Sequence, residues 1–197
     1  MILTHVDLLD AAAFAAQRHA NQTRKGDAGE PYVNHVIEVA EILSATTVGD
    51  DVALLMAALL HDTVEDTDTT VVELETAFGA DVASLVMEAT DDKRLKKVER
   101  KRLQVENAPH KSPRARLLKT ADKTSNLRSI AISPPSGWQE PRMTEYVEWA
   151  VAVVSGCLDA PAGFALRNEA EAAEMLRQSF DAAVADARRA IARRLAL

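Results

Sequence analysis

Cysteine is nearly absent. Cys157 is the single one in 197 residues, which excludes an internal disulfide framework and fits a reducing compartment. Net positive charge is also missing. At −7 the chain is unsuited to broad binding of nucleic acid or anionic membranes, so neither is expected as a partner. No apolar run is long enough to span a bilayer. Met1-Ile2-Leu3-Thr4-His5-Val6-Asp7 lacks the basic start and long apolar stretch of a secretory signal. Alternating strand patterns, internal repeats, low-complexity tracts and long linkers are not found either. These absences predict a soluble, cytoplasmic protein. A chain of 197 residues, 47% hydrophobic and 27% charged, can bury one substantial core, so a single domain over 1–197 is expected.

What is present is helical periodicity in nearly every segment between breakers. Asp7 to His19 forms one apolar-sided helix, and Gly26, Gly29 and Pro31 make a loop. A second helix covers Val33 to Leu43. After Gly49-Asp50-Asp51, the run Val52 to Leu60 reads as a buried helix. Thr69-Thr70 with Glu73 is a helix start, Gly79 a stop, and a further helix runs to about Thr90. A charged stretch, Asp91 to Arg102, leads to breaks at Pro109 and Pro113. A helix through Leu117, Asp122 and Leu127 then ends before Pro134-Pro135. Another runs from beyond Pro141 to Gly156. Over 165–197, Leu176, Phe180, Val184, Ala187, Ile191 and Leu195 recur at helical spacing. That face suits packing on the core or against a second copy of the chain. The fold expected is all-α and single-domain.

His61-Asp62-Thr63-Val64-Glu65-Asp66 is the most informative stretch. A buried apolar helix has no use for four such side chains at its end unless they hold something. Spacing by four puts His61 near Glu65 and Asp62 near Asp66, which predicts a metal site with a proton-handling pair beside it. His35 opens one helix and Asp122 sits inside another that is otherwise apolar. Two imidazoles and two carboxylates suit Mn²⁺, Fe²⁺ or Zn²⁺ better than Ca²⁺, which prefers oxygen alone. An acidic pair at a helix C-terminus opposes the macrodipole, so helix stability does not explain Glu65 and Asp66. As catalytic groups they can orient or deprotonate an attacking water.

His35, His61-Asp62 and a distant Asp122, in that order, resemble the HD phosphohydrolase superfamily. Arg24-Lys25, Pro31-Tyr32-Val33-Asn34-His35, Ala57 to Thr67 and Ala121-Asp122-Lys123-Thr124-Ser125-Asn126-Leu127 narrow the likeness to the hydrolase domain of the Rel/SpoT proteins. It is most similar to the free-standing small alarmone hydrolases of metazoan SpoT homologue type, from roughly Asp7 to Val153. The resemblance implies an HD-domain fold and Mn²⁺-dependent removal of the 3′-pyrophosphate from ppGpp or pppGpp, without a synthetase. It implies His35, His61, Asp62 and Asp122 as metal ligands, with Glu65 as base and Asp66 beside it.

For the substrate, Arg24 is expected to stack on guanine while Lys25 meets phosphate. Asn126, one turn after Asp122, is expected to hydrogen-bond the ribose or the 3′-phosphates. Lys97, within a basic cluster from Lys93 to Arg102, is expected at the 5′-phosphates, with Arg142 and Tyr146 added by resemblance. The chain departs from the pattern at Ser125, where a bulky residue is usual beside the asparagine, and at Thr120, where an aliphatic one is typical. Neither removes a ligand, and both reshape the pocket. Two other functions fit the same residues: a phosphatase of another sugar-phosphorylated nucleotide such as NADPH, and a nucleotide sensor without turnover. His19 reads as a satisfied structural histidine, and Trp138, Trp149 and Phe180 as core.

Overall fold

The computed structural model describes residues 4–26, 28–47, 51–160 and 169–195. The break expected at Gly49-Asp50 and residues 165–168 of the expected C-terminal helix lie outside them. Local chemistry sets the helix starts. Thr4 accepts from the Val6 amide while Asp7 reaches back to Thr4, a capping box that opens α1 (His5–Arg18). α2 spans Val33–Thr47. Asp51 accepts from the Leu54 amide to start α3 (Val52–Leu60). One turn, α4 (Thr63–Asp66), follows. Thr70 caps α5 (Val71–Phe78), and Gly79, at φ +88°, turns the chain into α6 (Ala80–Ala89). The remainder is α7 (Lys97–Asn107), a 3₁₀ turn at Ala108–His110, α8 (Pro113–Ile132), α9 (Glu140–Leu158) and α10 (Glu169–Leu195). Among the described residues, extended pairing is limited to isolated bridges, Thr23 with Pro31 and Gly26 with Pro135. The chain is all-α, as expected.

Several boundaries differ from the sequence reading, among them the end of α2, which lies at Thr47 rather than Leu43. The charged stretch contains a full helix, α7, with no buried residue. Pro113 starts a helix rather than breaking one, because the first-turn position has no use for an N–H, and Ser112 caps it. α9 passes through Gly156 to Leu158. A Cβ at Gly156 would lie 2.9 Å from the Ala108 Cβ, so this glycine permits close packing instead of ending the helix.

Two helices lie deepest, for opposite reasons. α3 is apolar all round, and Ala53 to Leu60 are all buried; each buried leucine contributes roughly 1.5–3 kcal/mol. The helix around Asp122, read from sequence as otherwise apolar, is not: α8 is buried from Ala115 to Ser125 while carrying Arg116, Lys119, Thr120, Asp122, Lys123 and Thr124. Buried polar groups need partners, and α8 supplies them. Lys119 donates to the Ala89 carbonyl at 3.0 Å, while Thr120 and Thr124 bond back to the carbonyls of Arg116 and Thr120. One apolar cluster joins α1, α2, α3, α5, α6 and the first half of α8. A second joins the end of α8 to α9 and α10 through Leu127, Val147, Phe180, Val184 and Ile191. α8 thus runs between both cores and carries polar groups into the space they frame.

Candidate active site

α3 ends at Leu60, and His61-Asp62 form a joint before α4. Glu65 and Asp66 therefore belong to a separate single turn rather than to the C-terminus of a long helix, so the macrodipole argument does not apply to them. The i to i+4 relation of Asp62 and Asp66 survives: the Asp66 amide donates to the Asp62 carbonyl at 2.8 Å. The joint turns His61 inward. Its Nδ1 donates to the Ala58 carbonyl at 2.8 Å, since a carbonyl can only accept. Its Nε2 is buried with no hydrogen-bond partner and lies 3.2 Å from Asp62 Oδ2 and 3.9 Å from Asp122 Oδ1. His35, delivered by the first turn of α2, places Nε2 3.5 Å from Asp62 Oδ2 and 3.4 Å from Asp122 Oδ1.

The ligating atoms of His35, His61 and Asp62 all lie within 4.8 Å of one another. An unpartnered buried imidazole nitrogen, a second imidazole aimed at the same point and two converging carboxylates form a donor set that fits one divalent ion. The electrostatics agree. Burial opposes a charged Asp62, but His61 and His35 outweigh it and hold the carboxyl below its usual range. Burial is likewise outweighed at Asp122 by Lys123, His35 and Lys119. Burial lowers the pKa of His35. At His61 it is overcome by Asp62 and Asp122, which raise the imidazole to about 9. The carboxylates are held as anions and attract a cation.

A second layer of hydrogen bonds holds these side chains in place. Tyr32 donates its hydroxyl to Asp62 Oδ2 at 2.6 Å and approaches Asp66 Oδ2 at 3.4 Å. Burial and the neighbouring Asp62 raise its pKa far above the usual phenol value, so it remains a donor. Asp122 receives Lys123 Nζ at 3.0 Å and the Asn126 amide at 2.6 Å. Asp66 is paired with Lys93. Glu65 accepts from the Asp91 amide at 3.1 Å and faces Arg100 at 3.5 Å. Burial raises the Glu65 pKa, with the Asp91 amide opposing and the acidic neighbours assisting.

Above this floor opens a cavity of about 350 Å³, within the size range of ligand pockets. Of the residues singled out from sequence, it brings together Arg24, Lys25, His35, Asp62, Glu65, Asp66, Lys97, Asp122, Asn126 and Tyr146. His61 stands behind the lining at the floor. Arg142 also stands back, its guanidinium 4.3 Å from the Trp138 ring centre. Arg24 is not a free surface cation: it donates to Asn126 Oδ1 at 3.1 Å and reaches Ser125 Oγ at 3.4 Å. Lys97 lies on the cleft wall, and burial followed by Arg142, Lys101 and Lys25 lowers its pKa. Burial and Asp122 keep the Tyr146 phenol neutral.

Several lining residues gained no role from sequence. Tyr32 lies three positions before His35, a spacing that could have marked it as facing the same site. Trp149, read as core, instead forms part of the wall. Lys123 Nζ lies 4.5 Å from its ring centre and Lys101 Nζ 5.1 Å. No local pattern shows that, because the contact joins α7, α8 and α9. His19 is buried, its ring centre 4.9 Å from that of Tyr32 in a tilted arrangement, and it bonds Gln22 through Nδ1, but its Nε2 has no hydrogen-bond partner; it is only half satisfied.

The model of the HD domain family matches residues 11–148. A human protein named guanosine-3′,5′-bis(diphosphate) 3′-pyrophosphohydrolase MESH1 is 58% identical over 149 residues, 76% of this chain and 83% of that protein. The Drosophila melanogaster protein of the same name is 48% identical over 170 residues, 86% of this chain and 93% of that one. A solved structure described as a metazoan ortholog of SpoT that hydrolyzes ppGpp superposes with a TM-score of 0.79 at 43% identity, covering 92% of this chain and 98% of that one. No helix among the described residues is long and apolar enough to cross a membrane. Matching most of the chain and most of these relatives, the sequence belongs to the HD domain family, in the group of the metazoan SpoT homologues.

Proposed function

We propose that this chain is a divalent-metal-dependent hydrolase that removes the 3′-pyrophosphate from ppGpp and pppGpp, yielding GDP or GTP and pyrophosphate. The observation that carries the reading is the union, in one cleft, of a two-imidazole, two-carboxylate floor with a cationic and aromatic wall, in a protein of net charge −7. Such a wall suits a highly phosphorylated purine nucleotide. Relatives at 58% and 48% identity carry the name of this activity.

His35, His61, Asp62 and Asp122 are assigned as the metal ligands, and Mn²⁺ suits their mixed nitrogen and oxygen donors. When bound there, such an ion would supply Lewis acidity toward phosphoryl oxygens and make a water more acidic. Glu65 takes the proton of the attacking water as its oxygen bonds to the phosphorus beside the ribose 3′-oxygen. The bond from that phosphorus to the 3′-oxygen breaks, and the oxygen leaves as a hydroxyl by taking a proton from solvent, which balances the proton Glu65 accepted. Asp66, braced by Tyr32 and Lys93, orients the water. Arg24, steadied by Asn126, offers its guanidinium plane to guanine, and Lys25 meets phosphate. Asn126 serves the ribose and 3′-phosphates, while Lys97, with Arg142 and Tyr146, serves the 5′-phosphates. This reading needs no nucleic acid, membrane or second catalytic domain. Residues 1–197 act as one unit in the cytoplasm, with the C-terminal helix packed on it.

The test is ppGpp hydrolysis by metal-stripped protein with and without added Mn²⁺, with products separated by anion exchange. GDP and pyrophosphate formed only with Mn²⁺ are expected. No turnover with Mn²⁺ restored, or a higher kcat/KM for NADPH than for ppGpp, overturns the reading.

A further inference from the structure

His35 and His61 are held by different means. His61 leans on a backbone carbonyl. His35 leans on Ser125, the residue at which the sequence departs from the bulky side chain usual beside the asparagine. Ser125 is fully buried. Its Oγ lies 2.7 Å from Glu38 Oε2 and 2.9 Å from His35 Nδ1. A serine hydroxyl has one proton to give, and a carboxylate can only accept. The proton therefore goes to Glu38, and the serine oxygen accepts from His35 Nδ1–H. Arg24 NH1, 3.4 Å from the same oxygen, adds a donor and never competes as an acceptor. Arg128 lies 3.3 Å from Glu38 Oε1 and Arg24 3.9 Å from Oε2, so opposite charge flanks the carboxylate. Glu38 is one turn beyond His35 on α2, and Ser125 comes from α8, ninety positions away from His35.

We propose that Glu38 and Ser125 form a carboxylate–hydroxyl–imidazole relay that positions His35 as a metal ligand. It fixes the Nδ1–H tautomer and presents Nε2 toward Asp62 and Asp122. Glu38 and Ser125 are positioning residues and touch neither the ion nor the nucleotide. The proposal rests on the metal reading above. Outer partners of this kind change metal affinity by on the order of 10- to 100-fold. A relay also makes a non-additive prediction: once the serine hydroxyl is gone, the carboxylate has nothing to transmit.

The experiment measures Mn²⁺ affinity by competition with a fluorescent chelator for the wild-type chain, Ser125→Ala, Glu38→Gln, Ser125→Thr and the double variant Glu38→Gln/Ser125→Ala. In parallel, long-range ¹H–¹⁵N spectra of chelated protein report the His35 tautomer. Ser125→Ala is expected to weaken Mn²⁺ binding by about 10- to 100-fold and to lose the pure Nδ1–H signature. Ser125→Thr should restore both, and the double variant should be no worse than Ser125→Ala. If Ser125→Ala does not fold, Glu38→Gln carries the test, since Glu38 is 27% exposed. Wild-type affinity and tautomer in a folded Ser125→Ala or Glu38→Gln, or additive losses in the double variant, overturn the relay. A wild-type chain that binds no Mn²⁺ overturns the metal reading itself.

Discussion

At the residue scale, the base role proposed for Glu65 and its burial pull in opposite directions. A general base must be ionised, yet burial holds the Glu65 carboxyl above its ordinary pKa of 4.5. The rate should therefore rise with pH through that raised value. Glu65→Gln should abolish this limb and lower kcat by roughly 10²- to 10⁴-fold. Linkage sets the sign for stability. A folded pKa above the unfolded one means the folded state binds more protons in that window. The contribution of Glu65 is thus complete below pH 4.5 and lost as pH rises through the folded value. Thermal melts of chelated protein should show Glu65→Gln with a higher Tm than wild type at pH 7 and no advantage at pH 4.5. A lower Tm at pH 7 would mean that Arg100, 3.5 Å away, outweighs the burial. The residues proposed as metal ligands were singled out in the sequence because each belongs to a short local motif, and the structure brings the donor atoms of His35, His61 and Asp62 within 4.8 Å of one another. The groups that steady them were not singled out. Ser125 acts across 90 positions, where spacing says nothing, and Tyr32, although three positions before His35, meets Asp62 across 30.

At the scale of elements, starts were easier to read than ends. Thr70 and Gly79 announced α5 and its stop through chemistry confined to one turn. Gly156 did not stop α9, because the reason for a glycine there lies in another element. Replacing it with alanine gains up to about 1 kcal/mol of helix propensity. The 2.9 Å approach to the Ala108 Cβ costs about 1–3 kcal/mol as overpacking. The clash is the larger effect, so Gly156→Ala should lower stability in urea unfolding, and adding Ala108→Gly should recover much of the loss. If the single variant is more stable than wild type, the contact yields and propensity decides. The same logic explains α8. Its polar composition argues against burial by pattern alone, and only the partners offered by α6, α9 and the metal floor make its burial possible.

Across the whole molecule, the metal floor stands on α2, α8 and the end of α3, while α10 closes the second core from the side of α8 and α9. Phe180 is buried there, within the apolar cluster of α8, α9 and α10. Phe180→Ala should cost about 3–5 kcal/mol, on the order of 10 °C in Tm for a chain of this size, with kcat retained well below the new midpoint. Loss of kcat at full folding would assign α10 a part in the site. The cleft gathers Arg24, Lys25, Lys97, Arg100 and Lys101 within a protein of net charge −7. The local field should draw a polyphosphate despite the global sign, so kcat/KM for ppGpp should fall as ionic strength rises. A flat salt profile would show that these cations are neutralised by their own carboxylates. The all-α class was determined by sequence alone, and the residues proposed as ligands and as the acidic pair were already marked there, since helical period and short motifs act within one or two turns. The broken joint at His61-Asp62, the aromatic wall and the relay behind His35 were decided only by tertiary structure, because each depends on the packing of side chains carried by different helices.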